Sequence, residues 1–145
     1  MTANLYNTEI LRLAAETAQA VRLAEPHASV EKRSPICGSR VTVDIALGED
    51  DRVAAAGMLV RACALGQASS ALLARGIVGR SPAELAAISE ALALWLGGEG
   101  EVPDWPGLPL FEPARPHSAR HASIRLAFEA AAEAAAKAAG HRAAA

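Results

Sequence analysis

The alternation of hydrophobic and polar residues is clearest between residues 40 and 47. This period of two is typical of a half-buried β-strand, with polar residues such as Thr42 and Asp44 on the face away from the core. The turn-forming sequence Gly-Glu-Asp-Asp follows, and residues 52–61 are predicted to return as a second strand. The apolar face of the first of these strands comprises Val41, Val43, Ile45 and Leu47.

Helical periodicity occupies most of the remaining chain. Residues 4–16 form an amphipathic pattern, and a run rich in small residues extends from Ala64 to Gly76 or Gly79. The segment after Ser81 has the residues of a capping box, with Ser81 as N-cap, and Gly97 stops the pattern. A last helix is predicted after Ser118, its expected N-cap.

The order of these elements predicts the fold class. We expect an α+β fold, with a small antiparallel sheet of about three strands and helices packed on one face. Residues 28–34 are the candidate for the additional edge strand, and residues 1–145 are predicted to form a single domain. Residues 99–117 hold five prolines and are predicted to be an irregular insertion pinned by Trp105, while residues 139–145 are expected to fray.

Composition and charge exclude several classes of function. Aromatic residues make up only 3% of the chain, so the core must be built from Leu, Ile, Val and Ala. The net charge of −2, with both signs mixed along the chain, argues against nucleic-acid binding. No apolar run reaches membrane-spanning length, and the first residues do not resemble a secretory signal. We therefore expect a cytoplasmic protein, in which two cysteines are thiols or metal ligands rather than a structural disulfide.

Three residues at the predicted ends of elements are candidates for a metal site. Cys37 lies in a Pro-Ile-Cys-Gly turn, Cys63 lies where the second strand becomes a helix, and His121 lies in the first turn of the last helix. A helix N-terminus keeps imidazole neutral and favours a thiolate, and such ligands suit zinc or the iron of a cluster. The spacing matches no local zinc motif, so these residue types alone leave open two core cysteines and a surface histidine.

Five segments, in the same order, resemble the iron–sulfur cluster assembly scaffold family, which includes IscU, SufU and the N-terminal domain of NifU. The resemblance covers nearly the whole chain, and the distance of 26 residues between Cys37 and Cys63 adds to it. The proline-rich insertion resembles the SufU arrangement. The segments are LYNTEILRLA, CGSRVTVDIAL, RACALGQASSALL, GRSPAELAAISEAL and ARHASIRLAFEA.

The resemblance assigns roles to individual residues. It implies that Cys37 and Cys63 are the first two ligands of a cluster or of zinc, and that His121 lies beside the position of the third cysteine. That third position is Ala122, which has no donor atom. Ser39 stands where the family has an aspartate and would ligate only weakly. The chaperone-binding sequence of IscU proteins is absent.

The implied function is that of a scaffold or carrier, not an enzyme. Cys37, Cys63 and His121, with Ser39 as a weak fourth candidate, would hold an iron–sulfur cluster, iron or zinc. The expected partners are a cysteine desulfurase and apo iron–sulfur proteins, and a homodimer could share one cluster. Two alternatives are a persulfide-accepting protein and a degenerate interaction module that binds no metal.

Overall fold

The computed structural model describes residues 5–36 and 38–144 of the chain. In that part the helices and strands alternate as predicted, which confirms the α+β fold class. The strands are β1 (Ala28–Arg33), β2 (Arg40–Leu47) and β3 (Val53–Arg61). The α-helices are α1 (Thr8–Glu16), α2 (Ala64–Gly76), α3 (Pro82–Leu96) and α4 (His121–Ala144). Short 3-10 helices span Thr17–Gln19, Leu108–Ala114 and Ser118–Arg120.

The sheet is antiparallel, with the strand order β1-β2-β3. Val43 of β2 lies opposite Val30 of β1 and Met58 of β3, so the apolar residues of all three strands share one face. The helices cover this face, and α4 lies along β1 and β2. Alternation therefore places one face of the sheet in the core, as the sequence predicts, and leaves the other face for a different role.

The helix termini follow from local sequence. The side chain of Asn7 accepts a hydrogen bond from the N–H of Ile10 at 3.0 Å, which starts α1 four residues later than the hydrophobic pattern suggested. The capping box predicted at Ser81 and Glu84 is present at the start of α3. Alanines on the inner face of α4, including Ala127 and Ala134, are fully buried, because a small side chain lets neighbouring elements approach closely.

The open face of the sheet is half covered by residues 20–26, which connect the 3-10 turn after α1 to β1; we call this segment the strap. The N–H of Met58 donates to the carbonyl of Val21 at 3.0 Å, which holds the strap against β3. A Cβ atom on Gly57 would lie 2.6 Å from the backbone nitrogen of Leu23, so only glycine permits this crossing. Asp44 then anchors the strap to β2 through contacts described below.

The proline-rich segment departs from expectation, since Leu108–Ala114 is a 3-10 helix rather than irregular chain. The predicted anchoring is present: Trp105, Leu108 and Phe111 are buried. Ser118 opens a 3-10 turn, and α4 itself begins at His121. The helix continues through Ala144, beyond the point where fraying was expected. Among the helices of the described residues, none has the length and hydropathy of a membrane span.

Candidate metal and sulfur site

The connection between β1 and β2 is a tight turn. The N–H of Ser34 donates to the carbonyl of Ser39 at 2.8 Å, and the N–H of Gly38 donates to the carbonyl of Ser34 at 3.2 Å. Gly38 has a φ of +72°, a conformation that favours glycine. Ser39, the predicted weak ligand, is buried immediately before β2. Cys37 belongs to this connection by sequence but lies outside the described residues, so its predicted role stays a prediction.

Cys63 is the N-cap of α2, as its predicted position at a strand-to-helix junction requires. Its backbone is extended, its carbonyl accepts the first helical hydrogen bond from Gln67 at 2.9 Å, and its side chain caps no backbone group. The side chain is half-buried, free of any disulfide and packed against the core. A thiol at this place points from the positive end of a helix without being used in its cap.

Small residues bring the starts of α2 and α4 together. A Cβ atom on Gly66 would meet the carbonyl oxygen of Ser123 at 3.2 Å, so the two helices touch there. One turn later, the hydroxyl of Ser69 donates to the carbonyl of Ile124 at 2.6 Å, in the core. The helix start that carries Cys63 and the helix start that carries His121 are therefore neighbours. The short side chains of the "ALGQASS" segment explain how.

His121 is the first residue of α4 and is half-buried. Its Nε2 lies 3.1 Å from the carbonyl oxygen of Ala114 and 2.9 Å from that of Arg115. Because both neighbours are acceptors, Nε2 carries the proton, and Nδ1 holds the lone pair. Metal-binding histidines commonly donate their second N–H to a carbonyl in this way, so the contacts are compatible with ligation through Nδ1.

The donor set in the described residues is small. In residues 5–36 and 38–144, no three His, Cys, Asp or Glu side chains form a group that could hold a metal ion. Cys37 is not among these residues, so the predicted trio was not tested. His27 and His141 contact each other's segment elsewhere: Nδ1 of His141 lies 3.1 Å from the carbonyl of His27.

Positive side chains near the candidate site escaped the sequence analysis. Arg33, Arg40 and Arg61 occupy directly opposite positions on the three strands, at the sheet end that leads to the turn and to Cys63. On α4, four residues after His121, the buried Nε of Arg125 has no hydrogen-bond partner within the described part of the chain. Only the strand register could have revealed the three aligned arginines, because they are far apart in sequence.

Comparison with known proteins supports the resemblance seen in the sequence. No family model and no curated protein matches the chain. The solved structure of the N-terminal part of a nitrogen-fixing NifU-like protein from Brucella abortus shares 37% identity with it. The alignment covers 94% of this chain and 95% of the Brucella chain, with a TM-score of 0.85.

Two further structures share the fold at lower identity. A candidate iron–sulfur cluster assembly scaffold protein of the SUF system, from Fervidobacterium islandicum, has 17% identity and a TM-score of 0.79 over 90% of this chain and 96% of its own. A hypothetical protein has 18% identity and a TM-score of 0.69 over 91% and 97%. The fold and the full-length likeness to the Brucella protein together establish that this chain belongs to the NifU N-terminal-like family, with IscU and SufU.

Proposed function

We propose that this protein is a scaffold or carrier for iron–sulfur cluster assembly and that Cys37, Cys63 and His121 hold its cargo. The observation that carries the proposal is the 37% identity to a NifU-like protein over nearly the full length of both chains. The likeness in fold to a candidate assembly scaffold of the SUF system supports the same role. Its partners would be a cysteine desulfurase and apo iron–sulfur proteins, in the cytoplasm.

The local geometry supports the choice of ligands. The half-buried thiol of Cys63 is not used in a cap, and Nδ1 of His121 is left with its lone pair. The contact between α2 and α4 at Gly66 brings the starts of the two helices together. Two thiolates and an imidazole suit iron of a cluster or Zn²⁺ and leave one coordination position open. Water, a small thiol, Ser39, a partner residue or a second copy of the chain would fill that position.

Acceptance of a persulfide is the second candidate function. Ala122 and Ser39 are neutral where the family resemblance places a thiol and a carboxylate, and Arg125 on α4 has a buried Nε without a partner in the described residues. Such surroundings favour anionic sulfur over a bare divalent cation. A thiolate of this chain would attack the outer sulfur of the desulfurase persulfide, forming a new S–S bond and releasing the desulfurase thiolate. A third candidate, an interaction module that binds no metal, would need neither thiol.

Anaerobic reconstitution with iron and sulfide tests the ligand assignment. Iron, sulfide and zinc per chain would be measured for the parent and for Cys37→Ala, Cys63→Ser, His121→Gln and Ala122→Cys. We expect either cysteine substitution to abolish binding, because one thiolate and one imidazole cannot hold a cluster. His121→Gln should weaken binding, and Ala122→Cys should tighten it or change the cluster formed.

The substitutions are chosen to leave the fold intact. Serine is a better N-cap than cysteine, so Cys63→Ser should keep or raise the stability of α2 while removing the thiol. Glutamine at position 121 can still donate to the carbonyls of Ala114 and Arg115. Metal content equal to the parent in both cysteine variants would show that the ligand assignment is wrong. A parent that binds no metal but gains 32 Da per thiol from a desulfurase would favour the persulfide function.

A further inference from the structure

The open face of the sheet has an uncovered half beside the candidate site. The strap crosses over the rows of Asp44 and Gly57, so the rows nearer the β1–β2 turn remain open. In the row at the end of the sheet, Arg40 lies opposite Arg33 on one side and Arg61 on the other. Opposite residues of neighbouring strands point to the same face, with Cβ atoms about 5 Å apart. We call these three residues the arginine row.

The arginine row carries more positive charge than its surroundings neutralise. Glu31 pairs with Arg33, whose Nε donates to it at 2.9 Å. Within the described residues, neither Arg40 nor Arg61 forms an ion pair. The pKa of Glu31 is lowered, first by the hydrogen bond from Arg33 and also by the charges of Arg33 and Arg40. One carboxylate therefore faces three guanidinium groups, in a chain whose net charge is −2.

Like charges at opposite positions destabilise a sheet, so the arginine row opposes folding unless something else pairs with it. Two exposed apolar side chains lie beside it. Leu59, one row further along β3, is 41% exposed, and Ile36 in the β1–β2 turn is 68% exposed. Arginine next to exposed apolar side chains is the composition of a protein–protein contact surface. The chemistry of the missing counterpart is thus carboxylate groups presented by another protein.

The arginine row also has a fixed relation to the proposed thiol ligands. Arg61 precedes Cys63 by two residues, and Arg40 follows Cys37 by three. We propose that the arginine row is the docking surface for a partner protein with an acidic surface, which it holds beside the thiols during transfer of sulfur or a cluster. This inference rests on the proposed function and names the surface that the partner uses.

Binding, measured separately from transfer, tests the proposal. The probe is a purified cysteine desulfurase with an acidic surface, and its dissociation constant would be measured at 50 and 300 mM NaCl. We expect R40E/R61E to weaken binding by about tenfold or more at low salt, since like charges then meet at the contact. R40K/R61K keeps the charge and should stay within about threefold of the parent. The parent's affinity should fall at high salt, and that of R40E/R61E much less.

A matched charge reversal controls for net charge. Arg12 lies on α1, 73% exposed, in a weak ion pair with Glu9, away from the sheet. R12E should therefore bind as the parent does, and a thermal melt of each variant shows that it is folded. Cys63→Ser should also bind, although it transfers no sulfur, so loss of transfer and loss of docking are distinguished.

Three results would overturn the proposal. The first is equal affinity of the parent and R40E/R61E, and the second is no desulfurase binding by the parent at all. The third is tighter, arginine-dependent binding to a single-stranded oligonucleotide or to a second copy of this chain. In each case the metal content of the parent still reports on the proposed function by itself.

Discussion

Asp44 shows how the surroundings of one residue can reverse what its pattern predicts. Alternation along β2 puts Asp44 on the polar face, yet its side chain is completely buried. Arg22 of the strap donates to both carboxylate oxygens, at 2.7 and 2.9 Å, and the N–H of Leu23 and the hydroxyl of Ser29 also donate. The strap has no periodic pattern of its own, so sequence alone could not show that it covers this residue.

These contacts make stability depend on pH. The hydrogen bond from Arg22, with those from Ser29 and Leu23, lowers the pKa of Asp44 below its usual value. A lowered pKa in the folded state means that the contribution is complete above the unfolded pKa of about 3.9 and is lost as pH falls through the folded pKa. Asp44→Asn should lower the free energy of unfolding at pH 7 by about 2 kcal/mol and flatten its dependence below pH 5.

Urea unfolding at a series of pH values would measure this effect. Asp104→Asn is the control, because Asp104 is exposed in the proline-rich segment and should change neither quantity. An Asp44→Asn variant as stable as the parent at pH 7 would contradict the anchoring role.

At the scale of elements, periodicity predicted existence and type better than boundaries. The strand pattern of β2 and the capping box of Ser81 and Glu84 were confirmed, because each depends on residues close in sequence. The proline-rich segment was wrong in part, since prolines that prevent an α-helix still permit the 3-10 helix Leu108–Ala114. Glycine inside β3 was correctly interpreted as a close approach, now seen between Gly57 and the strap.

Gly57→Ala should destabilise the domain by about 1–3 kcal/mol, because the new methyl group would overlap backbone atoms of Val21 and Leu23. Gly140→Ala is the matched control: Gly140 lies in α4 with open space around it, so the same change should stabilise by about 0.5–1 kcal/mol. Chemical denaturation of both variants would measure the two signs. Equal effects would show that the strap does not constrain position 57.

At the scale of the whole molecule, the sequence predicted the layers but not which distant residues meet. Trp105 was expected to pin the proline-rich segment, and its burial confirms that. Its Nε1 donates to the carbonyl of Leu72 at 2.8 Å, its ring meets Phe128 edge-on, and Arg80 lies over it. The arginine row could not be anticipated in the same way, because it exists only once the strand register is fixed. Nor could the sequence show that α2 and α4 touch at Gly66.

Trp105→Phe should lower the free energy of unfolding by about 2 kcal/mol, because the buried carbonyl of Leu72 loses its donor. Phenylalanine keeps most of the apolar contact, so the domain should still fold. Limited proteolysis should then cut residues 99–117 faster than in the parent. Glu101→Gln, an exposed change in the same segment, serves as the control and should alter neither rate nor stability.

The way the chain wraps β3 also bears on aggregation. An edge strand with free N–H and C=O groups is a template on which another molecule can pair. Here the N–H of Val53 donates to the carbonyl of Arg80, Gly79 donates back to Val53, and Met58 donates to Val21. The outer edge of β3 is thus occupied at both its start and its middle by the protein's own backbone. A chain that must keep thiols accessible to partners is thereby protected, along this edge, from pairing with copies of itself.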